Sequence, residues 1–428
     1  MTGQDRGGSG RSRAGRRRFL SAVGATAFSG LSGCSADVID DLRGTDATGE
    51  GTDGSDGTGA TDSSTATVDG MGGPKEEHDG WPRYHYDSWN TGHRTAPVGF
   101  DGAPTVEWEA AVGGVNTIVA DGGTLYLAEG TNGAVRAVDA ASGEEEWVYD
   151  AVEKLDLGVK TVALDEEAVY VGGTTAIHAI DRESGEQRWT FDISTPASAP
   201  VVVDGTIYVG GGEILFAIDA AEGDRQWALR TGVRIRNPPA VVDDTLYLTA
   251  QAYLIAVDRA SGEELWGLKP EAATPPVTAP VYRAGRLYIG APTHVHAYDP
   301  AAEGELLWSS ETLNQVIYDS PAVAHGQVFT GVALVDKLHA FDAASGERTW
   351  QRDVTVGGSP VVAGETVYCT DEKYAELRAL DAHDGSDRWR VSFDGKLNVQ
   401  PTVTDDRIYV AGLELGHTEG TLYALGSR

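Results

Sequence analysis

Cysteine is almost absent from this chain: Cys34 and Cys369 are the only two among 428 residues. That excludes a disulfide-stapled scaffold and a paired-cysteine metal knuckle. No apolar run reaches the ~20 residues of a stable membrane span. HExxH, the Walker phosphate loop, GxSxG and an Asn-x-Ser/Thr acceptor are all missing. Positive charge is scarce too, with 33 basic against 65 acidic residues and a formal charge of −32. Lysine after residue 80 occurs only at 154, 160, 269, 337, 373 and 396. A balance this acidic disfavours nucleic acid as a partner.

What the chain does have is a returning stretch, first seen as Ala137-Val138-Asp139-Ala140-Ala141-Ser142-Gly143-Glu144-Glu145-Glu146-Trp147. Alternation before Asp139 gives a strand with two faces. The Asp carboxylate can bond turn N–H groups, Gly143 can take the left-handed conformation, and Trp147 brings an indole onto the returning strand. Ala recurs at 137, 179, 217, 256, 297, 340, 379 and 424, and Asp at 139, 181, 219, 258, 299, 342 and 381. Gly recurs at 143, 185, 223, 262, 304, 346 and 385. Trp closes each copy, as Trp147, Trp189, Trp227, Trp266, Trp308, Trp350 and Trp389. The period is roughly forty residues, enough for about four strands per unit.

The ends complete the count. Trp108 has no Ala-x-Asp copy before it, and Leu422-Tyr423-Ala424-Leu425 is a copy cut off before its Trp. Each supplies the half that the other lacks. The expectation is an all-β, eight-bladed propeller of four-stranded blades, closed by pairing of the N- and C-terminal segments. A second signature, as in Ser198-Ala199-Pro200-Val201 followed by the Asp204-Gly205 turn, marks the inner pair of strands in each blade.

The Ala-x-Asp-x-x-x-Gly-x-x-x-Trp pattern resembles the tryptophan-docking motif of quinoprotein-type, PQQ-like propellers. The preface Trp81-Pro82-Arg83-Tyr84-His85-Tyr86-Asp87-Ser88-Trp89-Asn90-Thr91-Gly92 is similar to the lead-in of such proteins. The resemblance implies either a quinoprotein alcohol dehydrogenase or a BamB-type lipoprotein scaffold. The dehydrogenases typically carry adjacent cysteines and a calcium-binding carboxylate site. Neither is found here, and no catalytic residue carries over. Trp81 and Trp89, outside the repeats, are expected to staple the lead-in onto the side of the barrel.

Residues 1–34 read as a targeting segment: Arg16-Arg17-Arg18-Phe19-Leu20 matches the twin-arginine pattern. Leu31-Ser32-Gly33-Cys34 resembles a lipobox, leaving Cys34 as the lipidated residue. Residues 35–80 are rich in Gly, Asp, Ser and Thr and read as a disordered tether, with residues 81–428 as the propeller. The acidic, lysine-poor composition suits concentrated salt, where at ~1 M the screening length is about 3 Å. The reading is a halophile's protein, from a haloarchaeon. An acidic secreted protein from ordinary salt is the alternative.

Both repeated turns fall on one end of the blades and the variable connections on the other, where function tends to sit. Candidates leading into inner strands are Asn116, Lys160, Arg234, Arg236, Tyr318, Asp319, Lys396 and Asn398. Loop candidates are Tyr253, His294, Asp336, Lys337, Glu372, Lys373 and His417. Arg234 and Arg236, two apart on an extended segment, face one way. They either hold a carboxylate or phosphate or neutralise acids around the central channel. His178, His296 and His339 share a slot that also accepts Phe216 and Ile255, which favours packing over metal ligation. The eight tryptophans Trp108, Trp147, Trp189, Trp227, Trp266, Trp308, Trp350 and Trp389 are read as wedges between blades. The functional expectation is a membrane-anchored, extracytoplasmic, non-catalytic scaffold without cofactor, binding an envelope protein or extracellular ligand. A PQQ-dependent dehydrogenase and a cell-surface polysaccharide binder are the alternatives.

Overall fold

The computed structural model describes residues 80–99, 102–130, 133–150, 162–269, 277–313, 317, 319–332, 336–397, 399–413 and 419–427. They form eight antiparallel sheets, the blades of a propeller. Blade 1 runs from its inner strand Val115–Asp121 to its outer strand Glu145–Tyr149. The inner strands of blades 2 to 7 are Val162–Leu164, Val201–Val203, Ala240–Val242, Val281–Arg283, Ala322–Ala324 and Val361–Ala363. Their outer strands are Gln187–Asp192, Arg225–Arg230, Glu264–Leu268, Glu305–Ser309, Arg348–Asp353 and Asp387–Ser392. Inner strands of successive blades meet around the axis. Blade 8 is assembled from both ends of the repeat region. Thr105–Gly113 pairs antiparallel with Glu419–Gly426, setting Trp108 opposite Ala424. Closure means that the ring cannot open without breaking this ladder.

The repeated residues have one physical job each. In every blade the Trp pairs with the Ala of the same copy, as Trp147 does with Ala137, and the register shifts by one residue beside the pair. This bulge adds local twist and leaves room for the indole over a methyl group. The indole then lies on the turn glycine of the next blade. A Cβ on Gly185 would sit 2.7 Å from Trp147, and one on Gly223 2.6 Å from Trp189. Both glycines have positive φ, so the position demands glycine twice over. Blade seams are filled by apolar side chains from both neighbours: Val119, Tyr126 and Trp147 of blade 1 meet Val162, Val169 and Ile180 of blade 2. Each such large side chain contributes roughly 1.5–3 kcal/mol on burial.

Trp389 departs from the common wedge. It pairs with Ala379 as the others pair with their alanines, and its ring lies 5.7 Å from that of Tyr368. It packs on the cluster that joins blades 7 and 8, with Val403, Ile408 and Leu425. The blade it faces is the composite one, whose two outermost strands come from opposite ends of the repeat region. No Asp-to-Gly turn connects those strands, so Trp389 lacks the turn glycine on which the earlier indoles rest.

The lead-in departs from expectation as well. Rather than stapling to the barrel's outer side, it fills the axis. Trp81 is 1% exposed and pairs with Ala120 of blade 1; Arg83 pairs with Ala163 of blade 2. The chain then serves blade 4 (Val241 N to Ser88 O), blade 5 (Tyr282 N to Trp89 O), blade 6 (Val323 N to Thr91 O) and blade 7 (Val362 N to Gly92 O). His93–Arg94 adds as a parallel strand to Val361–Ala363, and Gly99 N reaches Asp405 O of blade 8. The reason is hydrogen-bond accounting. The short inner strands expose N–H and C=O groups to the axis, and the lead-in, turning between Tyr84 and Trp89, bonds those of blades 1, 2 and 4 to 7. Two of its buried polar side chains, Asp87 and Asn90, tie it to itself and to the ring. Asp87 Oδ1 accepts from Trp89 N at 3.0 Å and Thr91 N at 2.9 Å. Asn90 Nδ2 donates to Pro239 O and Pro280 O at 3.2 and 3.0 Å, bridging blades 4 and 5.

Candidate functional site

The Asp-Gly turns and the Asp-to-Gly turns lie at one end of the blades; the variable links lie at the other. At the link end, Ile235 anchors the segment leading into blade 4. It is 2% exposed, its N–H bonds Gly212 O at 2.7 Å, and it bridges to Ala250. Asn237 Nδ2 fixes the next turn of chain through Thr249 Oγ1 at 3.1 Å and Val277 O at 2.9 Å. With Ile235 pointing in, the flanking Arg234 and Arg236 are both exposed. Neither guanidinium forms an ion pair among the described residues.

The other described cations at this end have partners. Lys396 Nζ meets Glu372 Oε1 at 2.9 Å, Lys373 Nζ meets Asp336 Oδ2 at 2.7 Å, and Lys337 pairs with Asp353. Lys373, with a hydrogen bond from Thr355, holds the Asp336 carboxyl below its usual range. A notch of about 280 Å³ lies among these residues and Tyr374. Lys269 sits over the Tyr253 ring, 5.7 Å from its centre. Asn116 is half-buried at a register shift in the inner strand of blade 1 and packs against Gly130. Asp319 is half-buried beside the buried Ser320. The structure thus spreads the candidates around several blades rather than gathering them into one pocket. Lys160, Tyr318, Asn398 and His417 lie outside the described residues, as do Arg16, Arg17 and Cys34.

The histidines sit in packing and hydrogen-bonding roles. His178 is 3.2 Å from the Tyr149 hydroxyl, His296 Nδ1 is 2.8 Å from Ser309 Oγ, and His339 stacks on Phe341. His294 stacks on His296, but its nitrogens meet Thr293 and Thr312 hydroxyls. Among the described residues, no group of His, Cys, Asp and Glu is arranged to hold a metal ion. Cys369 is fully buried, and burial pushes its thiol up to about 12, so it is no nucleophile at neutral pH.

A depression of about 1140 Å³ lies at the opposite, turn end. Its walls come from blades 8, 1, 2 and 3 and include Asp121, Asp139, Asp165, Asp204, Asp405 and Asp406. No signal in the sequence marked it, because each wall is a repeated turn whose residues already have a local role. Asp139 shows this: hydrogen bonds from Ser142 hold its carboxyl below the usual range. Arg182 bonds Asp121 at 2.8 Å and Arg407 bonds Glu107 at 2.8 Å.

The chain matches the family described as outer membrane protein assembly factor BamB over residues 131–266, 250–337 and 335–427. It belongs to the PQQ-like propeller family. The BamB of Shewanella oneidensis is 33% identical over 107 residues, covering 22% of this chain and 27% of that protein. Among solved structures, BamB from Moraxella catarrhalis superposes with a TM-score of 0.62 at 17% identity, over 76% of this chain and 98% of that one. A europium-containing methanol dehydrogenase gives 0.69 at 13% identity, over 82% and 98%. At such identities these likenesses establish the shared propeller and nothing of its chemistry. The match to the Shewanella relative spans about a quarter of that protein's length. No helix among the described residues is long and apolar enough to cross a membrane.

Proposed function

We propose that this propeller is a non-catalytic, extracytoplasmic scaffold that docks a partner protein on its link end, around Arg234-Ile235-Arg236. One observation carries the reading. In a chain of formal charge −32, two exposed arginines flank the buried Ile235 on an anchored segment, with no carboxylate paired to either among the described residues. Arginine holds carboxylates and phosphates through a planar fork, so the complementary group is an acidic segment. The name of the matched family, an outer membrane protein assembly factor, supports a protein partner. The twin-arginine run at Arg16-Arg17 and the lipobox ending at Cys34 support export and lipid anchoring, with 35–80 as tether.

The test is recovery of bound proteins from membranes at native salt with the wild type and an R234A/R236A variant. A specific partner lost with the variant supports the reading; an identical set with both removes the arginines from it. Cys34→Ser should release the protein from the membrane fraction, and retention would defeat the anchor. The dehydrogenase alternative rests on the fold shared with methanol dehydrogenase. The lack of adjacent cysteines in the sequence weighs against it. Dye reduction by protein reconstituted with PQQ and calcium would reverse this assignment.

A further inference from the structure

One seam between complete blades is built differently. Trp108, Trp147, Trp189, Trp227, Trp308 and Trp350 each donate the indole N–H to a backbone carbonyl of the next blade's turn, at 2.9–3.2 Å. Trp266, at the seam of blades 4 and 5, meets no such carbonyl among the described residues. Its target turn is one residue longer, from Asp299 to Gly304, with a single 3-10 turn at Pro300–Ala302 and Glu303 left-handed at φ 52°. A Cβ on Gly304 would face the far edge of the indole at 3.0 Å, rather than the Cε3 atom met at 2.5 Å by Gly262 or Gly346.

The outer strands flanking this seam also carry leucine at the position before the Trp, where the others are polar. The residue before the Trp is Glu107, Glu146, Arg188, Gln226, Thr349 or Arg388 elsewhere, but Leu265 in blade 4 and Leu307 in blade 5. Leu265, Leu306 and Leu307 are 54%, 47% and 42% exposed. Edge strands are normally guarded by charge, which these two strands lack at that slot. The backbones of Glu264–Leu268 and Glu305–Ser309 are each paired on one side only. The exposed Glu263 and Glu264 directly precede Leu265 in the chain, and the exposed Glu303 and Glu305 precede Leu306, none in an ion pair among the described residues.

We infer that the outer wall at blades 4 and 5 is a second docking surface. It takes an extended partner segment that alternates apolar residues with lysine or arginine and adds as a strand along Glu305–Ser309. Edge pairing supplies main-chain bonds, the leucines supply apolar contact, and the glutamates select a basic sequence. A second copy of this chain is disfavoured, because it would bring the same glutamates and another −32 charges. The surface is separate from Arg234 and Arg236, so its test is independent of theirs.

The probe is a fluorescein-labelled peptide alternating valine and lysine, titrated against the full chain by fluorescence polarisation, with amide exchange read at Glu305–Ser309. Leu265→Arg with Leu307→Arg copies the residue that blades 2 and 7 carry at that slot. The expected result is saturable binding, slowed exchange at Glu305–Ser309, and affinity at least roughly tenfold weaker in the double variant. Should that variant misfold, Leu265→Thr with Leu307→Thr, as in blade 6, replaces it and should show the same loss. No saturable binding, equal affinity for wild type and variant, or protection elsewhere overturns the inference. So does leucine-dependent self-association in sedimentation, which would make the occupant a second copy.

Discussion

His93 ties the buried lead-in to the acid stability of the ring. It is 6% exposed, beside Arg283 and the ring of His325, 5.4 Å away. Burial first, then the positive field of Arg283 and His325, lowers its pKa from 6.5 to about 3. The folded state therefore refuses a proton that the unfolded chain accepts below pH ~6.5. The sign follows: stability is full above the unfolded value and falls as pH drops from about 6.5 towards 3. At about 1.4 kcal/mol per pH unit, bringing the protein from pH ~7.5 to ~5 should cost about 2 kcal/mol through this one residue. His339, lowered to about 4 mainly by burial and then by Arg348 and Lys337, adds a loss in the same direction. Urea unfolding in steps across that interval measures the slope, with His93→Asn as the comparison. The variant should start less stable at neutral pH but lose about one proton's worth of slope. Equal slopes for wild type and His93→Asn would show that His93 is not held neutral in the folded ring, and the account of the buried axis would fail with it.

The docking tryptophans predict a position-dependent effect of one substitution. Trp147→Phe should cost about 1 kcal/mol beyond lost packing, because it deletes the bond to Arg182 O, whereas Trp266→Phe should lack that part; equal penalties in thermal unfolding would refute the seam difference. Gly185→Ala should destabilise by about 2 kcal/mol or more, since φ is +72° and the Cβ would collide with Trp147; a stability change within error would refute the contact. Asn90→Ala should cost about 2 kcal/mol by stripping the bridge to Pro239 and Pro280, read as a lower urea midpoint. For the acidic surface, the melting temperature should rise steadily as salt goes from ~0.1 M to ~1 M and the screening length shrinks from about 10 Å to about 3 Å. A flat response would argue against adaptation to salt.

The buried axis also explains an oddity of composition. Residues 80–94 contain Arg83, His85, Asp87, Asn90, His93 and Arg94, a polar run that reads as surface, yet all are buried. Asn90 meets open backbone of the ring at Pro239 O and Pro280 O. Arg94 pairs with Asp405, and the Tyr84 hydroxyl meets Ser359 at 2.9 Å. A channel of comparable width filled with apolar residues would leave those backbone groups unsatisfied.

From sequence alone the blade number, strand order, ring closure and wedge role of the tryptophans could be read. Those features rest on local chemistry repeated many times: a small residue facing an indole, a turn carboxylate, a glycine that must take positive φ. The Arg234-Ile235-Arg236 geometry was legible for the same reason, since alternation along an extended segment depends only on neighbours in the chain. What only the tertiary structure decided involves residues far apart. The path of the lead-in was fixed by the unpaired edges of blades up to more than 300 positions away, and no local pattern encodes which edge a strand will find. Among the described residues, the pairing that leaves Arg234 and Arg236 without carboxylates while Lys373 and Lys396 have theirs depends on which loops the ring sets side by side. The surroundings of Trp389 follow from ring closure, which gives it a composite blade as its neighbour. The seam at Trp266 turned on a single added residue whose effect appears only where one blade meets the next.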